Sequence, residues 1–275
     1  MLKAIILQLQ PTAEGELPRT HGSLAYAAAL DLISRQDVEL SRRLHDDNSY
    51  KPFTVSPIFG NFGRHRHQLI PAPNQLYRWR LTGLDQPTSD FLGQLQVDTS
   101  PIRFGSATFT IQAVQTSTNQ DEDCGQTSYD ALWQKWTAQS QPPRQFGVRL
   151  LTPTTFRRKK AEINFEQPLP EPDLFFGSLI RSWGTYSAWD TSEMEDFVTR
   201  YPVTISNYRI ETQRVQLGRR QTVGGVGKVT YCVTRNSTQI CQLIGLLIDF
   251  GFYAGVGWQR TQGLGQIRGE KLTRR

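Results

Sequence analysis

Residues 2–10, LKAIILQLQ, form an apolar run interrupted by Lys3, Gln8 and Gln10, the pattern of a largely buried strand. Residues 23–34 carry alanines and leucines on one side and predict a helix. Residues 37–44 predict a second, with Asp37 at its N-cap and Leu40 and Leu44 one turn apart. FTVSPIF at 53–59 reads as a strand. LYRWRL at 76–81 alternates, so Tyr77, Trp79 and Leu81 share one face and Arg78 and Arg80 the other. A polar, weakly helical stretch follows at 87–97, then a strand at 107–114. TSTNQDEDCGQ, 116–126, has no period and reads as a loop. A short helix at 128–138 offers Leu132, Trp133 and Trp136 for packing, and QPPR at 141–144 breaks the chain.

The second half repeats the layout. A strand is predicted at 147–156 and a helix at 172–186. Segments 203–217 and 226–233 pair as a hairpin around 218–225. A strongly apolar helix at 237–252, a glycine-rich loop and a last strand at 265–268 close the chain. Each half reads as β-α-β-β-α-β. The expected fold is α+β, with two tandem ferredoxin-like (RRM-like) domains at 1–140 and 141–275. The repeat is architectural, without clear identity of residues between the halves.

Charge is distributed unevenly over the 275 residues. Residues 141–275 hold 19 basic and 11 acidic side chains, net +8, against 12 and 14, net −2, in residues 1–140. A basic half suits a polyanionic partner, nucleic acid or an anionic membrane surface; an ordinary solvated face is the plain alternative. The longest apolar run, Leu243 to Ile248, is far too short to cross a bilayer. The first residues lack the features of a secretory signal. Cys124, Cys232 and Cys241 are odd in number, far apart and form no CxxC, which argues against a disulfide framework and a cysteine zinc site. These features predict a cytoplasmic protein with no membrane association.

The sharpest local signal is GVGWQRTQGLGQI, 255–267, with Gly255, Gly257, Gly263 and Gly265 flanking Trp258 and Arg260. No GK[ST] follows, so it is not a Walker loop. The dinucleotide fingerprint needs glycine where Arg260 stands, and here the loop follows a helix. Glycines let backbone N–H groups approach an anion closely, and Arg260 adds charge. A tight helix-to-strand connection explains the same glycines. This loop resembles that of the RAMP superfamily of CRISPR-associated RNA-binding proteins. LHDDNSYKPFTVSP, 44–57, is similar to the segment that carries the catalytic histidine and lysine of CRISPR precursor-RNA-processing endoribonucleases. The first strand, the two helices before that segment and GVGKVTY at 225–231 fit as well, whereas about 85–140 is not specific to the family.

The resemblance implies a metal-independent endoribonuclease that cuts CRISPR repeat precursor RNA. The RNA 2′-OH attacks the adjacent phosphate and leaves a 2′,3′-cyclic phosphate and a 5′-OH. The nucleophile lies in the substrate, so no metal or cofactor is needed; the protein orients the attack, moves protons and stabilises a crowded anion. His45 becomes the catalytic candidate, at a helix end whose carbonyls favour a cation, as do Asp46 and Asp47. Lys51, six residues on, matches the family's lysine and would stabilise transition-state charge. The family's frequent tyrosine falls near Leu30. Tyr26, one turn earlier on the same face, is the candidate in its place, with Tyr50 beside Lys51 as another.

Several basic groups are candidates for RNA phosphates: Arg64 and Arg66; Arg157, Arg158, Lys159 and Lys160; Arg214, Arg219 and Arg220; Arg260 and Arg268. RRKK at 157–160 also reads as a solvated charge run. In RHRH, 64–67, a strand would put His65 and His67 on one face, open to a metal, to RNA contact by the neighbouring arginines or to solvent alone. His21 reads as a residue of the helix-capping region. Trp258 either stacks on an unpaired base or is buried. Recognition of an A-form stem would rely on phosphates, shape and flanking nucleotides. The competing function is a non-catalytic RAMP subunit that binds guide RNA among the other subunits of an effector complex. A general tandem-RRM protein is disfavoured by the absence of an RNP1-like stretch.

Overall fold

The computed structural model describes residues 1–46, 51–187, 189, 191, 194, 203–235 and 237–272. The chain divides into two compact units. The first holds Met1–Gln126 with Gln216–Arg219 and Thr261–Gly263. The second holds Thr127–Val215, Arg220–Arg260 and Leu264–Arg275.

In the first unit the chain runs β1 (Leu2–Pro11), β2 (Leu17–Pro18), α1 (Gly22–Ser34), α2 (Val38–Asp46), β3 (Phe53–Phe59), β4 (Gly63–His65) and β5 (Gln68–Ile70). It continues through β6 (Tyr77–Gly83), α3 (Gln86–Gln94), β7 (Ile102–Phe104), β8 (Ala107–Gln115) and β9 (Gly125–Thr127). The main sheet has the order β3-β6-β1-β8-β7, with β9 also pairing β1. β1 pairs antiparallel with both β6 and β8, and β3 antiparallel with β6. The most apolar strand therefore takes the centre, where both its edges are hydrogen-bonded.

Alternation decides what each face carries. Tyr77, Trp79 and Leu81 join Ile5, Leu7 and Leu9 of β1 in one cluster with Ala25, Ala28, Ala29, Leu32 and Ile33 of α1. Trp79 is fully buried and stands edge-on to Phe104, ring centroids 4.9 Å apart. Each large apolar side chain so buried contributes about 1.5–3 kcal/mol. Arg78 and Arg80 point the other way, and there the segment expected to be a featureless loop has a task. Arg78 donates to Asp121 Oδ1 at 2.6 Å and Asp123 Oδ2 at 2.9 Å. Arg80, 4% exposed, donates from Nε to the Asp123 carbonyl at 2.9 Å. The buried Cys124 thiol donates to the Gln115 carbonyl at 3.1 Å, and burial pushes its pKa up to about 11.

The second unit opens with α4 (Tyr129–Thr137), then β10 (Gln145–Thr154), β11 (Phe156–Lys160), β12 (Ile163–Gln167) and α5 (Pro172–Tyr186). β13 (Val203–Leu217), β14 (Arg220–Val233), α6 (Thr238–Ala254) and β15 (Ile267–Glu270) complete it. Its sheet has the order β13-β14-β10-β15. Phe175, Phe176, Leu179 and Trp183 of α5 and Ile244, Leu247 and Phe250 of α6 are all buried.

Three expectations change. The helix read with the first half, α4, packs in the second unit. Lys135 Nζ and Trp136 Nε1 both donate to Asp249 Oδ2 on α6 at 2.7 Å, and the Trp136 ring fills the space a Cβ on Gly245 would need. RRKK lies in a hairpin that the apolar pattern does not reveal, with β11 paired to β12. The turn between β13 and β14 is only Gly218–Arg219, not 218–225. The glycines at 224, 225 and 227 lie inside β14, where Gly227 (φ +139°) lets the Arg209 carbonyl come within 2.1 Å of where a Cβ would stand.

Candidate functional site

α2 is built by its own sequence. Asp37 Oδ1 accepts from the Leu40 N–H at 2.8 Å, an N-cap bond that satisfies one orphan donor. Leu40 and Leu44 turn inward and are buried, and Ser41 Oγ donates to the Leu30 carbonyl of α1 at 2.9 Å. With Leu44 facing the core, His45 stands outward in the last turn, its side chain 68% exposed and Nδ1 2.9 Å from Asp46 Oδ1. The chain returns at Lys51. Its Nζ donates to the Leu44 carbonyl at 2.5 Å and the His45 carbonyl at 2.9 Å. An ammonium thus satisfies acceptors that a helix C-terminus leaves open, one of them the carbonyl of His45 itself.

Tyr26 lies on α1, half-buried, stacked on Phe53 with ring centroids 6.0 Å apart and an interplanar angle of 20°. Burial raises its phenol pKa, so the hydroxyl keeps its proton and can donate. α1 packs against both α2 and β3, so Tyr26 and His45 lie on adjoining elements of one unit, with Lys51 two residues before β3. Leu30 packs against the apolar core. Asp47 and Tyr50 lie outside the described residues.

The other histidines are not equivalent. His21 occupies the N-cap position of α1, but its side chain makes no capping bond. It is buried, with Nδ1 3.0 Å from the Pro18 carbonyl and Nε2 accepting the Ile58 N–H at 2.8 Å. Nε2 can accept only in the neutral ring, so Nδ1 carries the hydrogen. Burial lowers the pKa of His21, opposed by the bond to Pro18. The unfolded chain, near the ordinary value of about 6.5, binds the proton more readily. Stability should therefore be full above that value and fall as pH drops below it. Denaturant unfolding at pH 7.5 and 5.5 should show a smaller loss in His21→Gln than in the wild type. Equal losses would refute the assignment.

The strand reading of RHRH is corrected. β4 ends at His65 and β5 begins at Gln68, with Arg66 in a left-handed turn at φ +52°. His65 and His67 therefore do not share the face of one strand. Arg64 and Arg66 are exposed. Among the described residues, no group of three His, Cys, Asp or Glu could hold a metal ion.

The glycine-rich loop is also different from an anion cradle of open N–H groups. Gly255 N–H donates to the Gly251 carbonyl, Val256 to Gly265, Trp258 to Thr155 and Gly265 to Pro153, at 2.8–3.0 Å. Gly257 donates to Ser178 Oγ and Gln266 to Thr152 Oγ1, each at 2.9 Å. Gly257 and Gly265 have φ +81° and +71°, and a Cβ on either would meet a backbone carbonyl oxygen at 2.4 or 2.0 Å. Gly263, in the first unit, lies against Gly22 and Pro57. The glycines thus serve close packing. Arg260 is corrected too. It is 7% exposed, and Nη1 donates to the Ala254 carbonyl at 2.8 Å and Ser182 Oγ at 3.0 Å. A guanidinium so committed holds the loop rather than a phosphate.

Ion pairs sort the remaining basic residues. Arg158 is paired with Glu171 and with Asp173, Lys159 with Glu162 at 3.2 Å and Arg220 with Glu166 at 2.5 Å. Arg157, Lys160, Arg214 and Arg219 are exposed and have no carboxylate partner among the described residues. Arg268 is half-buried on β15. The Arg157 guanidinium carbon sits 4.0 Å, and that of Arg220 5.0 Å, from the Trp258 ring centroid. Charge pattern alone could not have found that grouping, because three segments far apart in sequence make it.

Comparison with known proteins agrees with this organisation. The family model described as CRISPR Cas6 N-terminal domain matches residues 1–134, and that of CRISPR-associated endoribonuclease Cas6 matches 148–267. A CRISPR-associated endoribonuclease Cas6 of Streptococcus thermophilus is 29% identical over 130 residues, 46% of this chain and 51% of that protein. The chain thus spans about half the length of the curated relatives it matches. A Thermus thermophilus Cas6 product complex superposes with TM-score 0.79 at 24% identity, covering 98% of this chain and 100% of that one. A second Cas6 product complex gives TM-score 0.73 at 26% identity, covering 98% and 99%. No helix among the described residues is long and apolar enough to cross a membrane. With its two halves matched in order by the two parts of one family, the chain belongs to the CRISPR-associated endoribonuclease Cas6 family of the RAMP superfamily.

Proposed function

We propose that this chain is a metal-independent endoribonuclease that cleaves CRISPR repeat RNA into mature guide RNA in the cytoplasm. The observation that carries the reading is an exposed imidazole and an ammonium together at the carbonyl end of α2, in a chain of this family. The RNA 2′-OH gives up its proton to solvent as it attacks the neighbouring phosphate, the P–O5′ bond breaks, and the products end in a 2′,3′-cyclic phosphate and a 5′-OH. His45 gives a proton to the departing 5′-oxygen. Lys51 keeps a cation at the site as negative charge grows on the phosphorane. The Tyr26 hydroxyl, protonated because it is half-buried, is available as a neutral donor. The attacking oxygen comes with the substrate, so the reaction needs no metal-bound water.

Each unit is read as a ferredoxin-like domain. The sheet orders β3-β6-β1-β8 and β13-β14-β10-β15 both place the second, third, first and fourth main strands side by side, which supports that reading. The N-terminal domain carries the catalytic groups. The C-terminal domain binds RNA through exposed cations such as Lys160 and Arg214, and the product RNA passes to other effector subunits.

A non-catalytic guide-RNA-binding subunit is the second reading, favoured by one observation: Leu30, where the family often has a tyrosine, is a core-packed leucine. Labelled repeat RNA from the host, incubated with the protein and EDTA, separates the two. One cut per repeat, leaving a 2′,3′-cyclic phosphate, is expected. Tight binding with no cut would assign the chain to the binding class.

A further inference from the structure

We propose that Arg157 and Arg220, bracketed by the indole of Trp258, form a clamp for a single backbone phosphate of RNA. This rests on the RNA-processing reading above and gives Trp258 the task of a positioning residue rather than a base-stacking platform.

Four segments of the second unit meet here. Arg157 comes from β11, Glu166 from β12, Arg220 from the start of β14, and Trp258 from the loop after α6. The indole is fixed by its own backbone. Trp258 N–H donates to the Thr155 carbonyl at 2.8 Å, two residues before Arg157. Gly257 permits that approach, since a Cβ there would stand 2.4 Å from the same oxygen. With guanidinium carbons 4.0 and 5.0 Å from its centroid, the ring is already covered by protein cations. A stacking base would have to share the ring with them.

Charge then points to the ligand. Two guanidinium groups share one ring and repel each other. Glu166 balances Arg220, its Oε1 2.5 Å from Nη2, but nothing among the described residues balances Arg157. The adjacent Arg158 cannot assist, because Glu171 and Asp173 hold it. One positive charge is left over at an exposed position held against the ring. A guanidinium lying against an aromatic ring keeps its in-plane N–H groups directed outward, the geometry that matches two oxygens of a phosphate. Ring contact has also removed much of the side-chain freedom that binding would otherwise cost. The contact would carry no sequence information, since phosphates fix register rather than identity.

The test measures RNA affinity against salt for two RNAs, the host repeat and an unrelated hairpin of equal length. Arg157→Gln should lower the slope of log K against log salt by about 0.7–0.9 for both RNAs. Trp258→Leu should weaken binding several-fold, and Trp258→Phe should restore it. In an Arg157→Gln background, Trp258→Leu should cost clearly less than it does alone, which a merely structural tryptophan would not show. An unchanged slope in Arg157→Gln, or additive losses in the double variant, overturns the clamp. The slope is read without any cleavage. A protein that binds with the expected slopes but does not cut keeps the clamp and loses the nuclease reading; one that cuts with slopes unchanged does the reverse.

Discussion

Replacing His45 with alanine should lower the single-turnover cleavage rate about 10²–10⁴-fold, the range a positioned general acid supplies. The repeat RNA should still bind within about threefold, because an exposed side chain removed from the surface disturbs little else. Thermal unfolding should be unchanged for the same reason: Leu44, not His45, faces the core, and the Lys51 ammonium bonds the carbonyl of residue 45 whatever its side chain. This combination matters more than the rate alone. A fold defect would lower binding and stability together, whereas loss of proton transfer lowers only the chemical step. Free imidazole should restore part of the rate in His45→Ala. A discrete cut that survives at full rate in the variant would keep the enzyme and remove His45 from its mechanism.

The largest structural effect should come from Gly265→Val. Residue 265 has φ +71°, a conformation that costs a β-branched residue about 1–2 kcal/mol before any contact is considered. Its Cβ would stand 2.0 Å from the Val256 carbonyl oxygen and 3.1 Å from the carbonyl carbon. The clash is with backbone, so no rotamer relieves it. Relief would require opening the loop and losing the 2.8 Å bond from Val256 N–H to the Gly265 carbonyl. A destabilisation of about 3 kcal/mol or more follows, roughly 6–12 °C in the midpoint. Gly218→Ala is the matched comparison. Its φ is +59°, yet nothing lies within 4 Å of the added carbon. Only the conformational cost of about 1 kcal/mol should appear there. Similar midpoints for the two variants would show that the loop yields at residue 265 and that the close approach to Val256 is not rigid.

The regular elements were legible because their signals are local. LYRWRL sorts its side chains by parity, and β6 buries Tyr77, Trp79 and Leu81 accordingly. Asp37 caps α2 as its position foretells. The errors share another cause: the residue patterns are compatible with more than one backbone path. RHRH alternates like a strand, but a single left-handed residue, Arg66, turns it into a hairpin. Gly224 and Gly225 read as part of a turn, yet they lie in β14, where close neighbours need a missing Cβ. Arg260 carries the charge of an RNA contact and the burial of a core residue, and only burial decides between them. For the candidate site, the pair His45 and Lys51 could be named from the family likeness of 44–57 alone. That Lys51 would rest on the carbonyls of Leu44 and His45 depends on where the chain returns after α2.

The face of the first unit's sheet that turns away from α1 has a consequence for how this domain can meet its substrate. RRM-type domains splay single-stranded bases across an open sheet, on aromatic side chains. Here every aromatic ring of β6 points into the helical side, and the middle of the outer face presents Arg78 and Arg80 already bound to the 121–124 segment. Two carboxylates, Asp121 and Asp123, sit where a strand of phosphates would have to pass. The first unit has closed this face of its sheet with its own chain. If the chain cleaves RNA as proposed, its substrate reaches this domain from the side where α1 and α2 lie, where the imidazole of His45 stands.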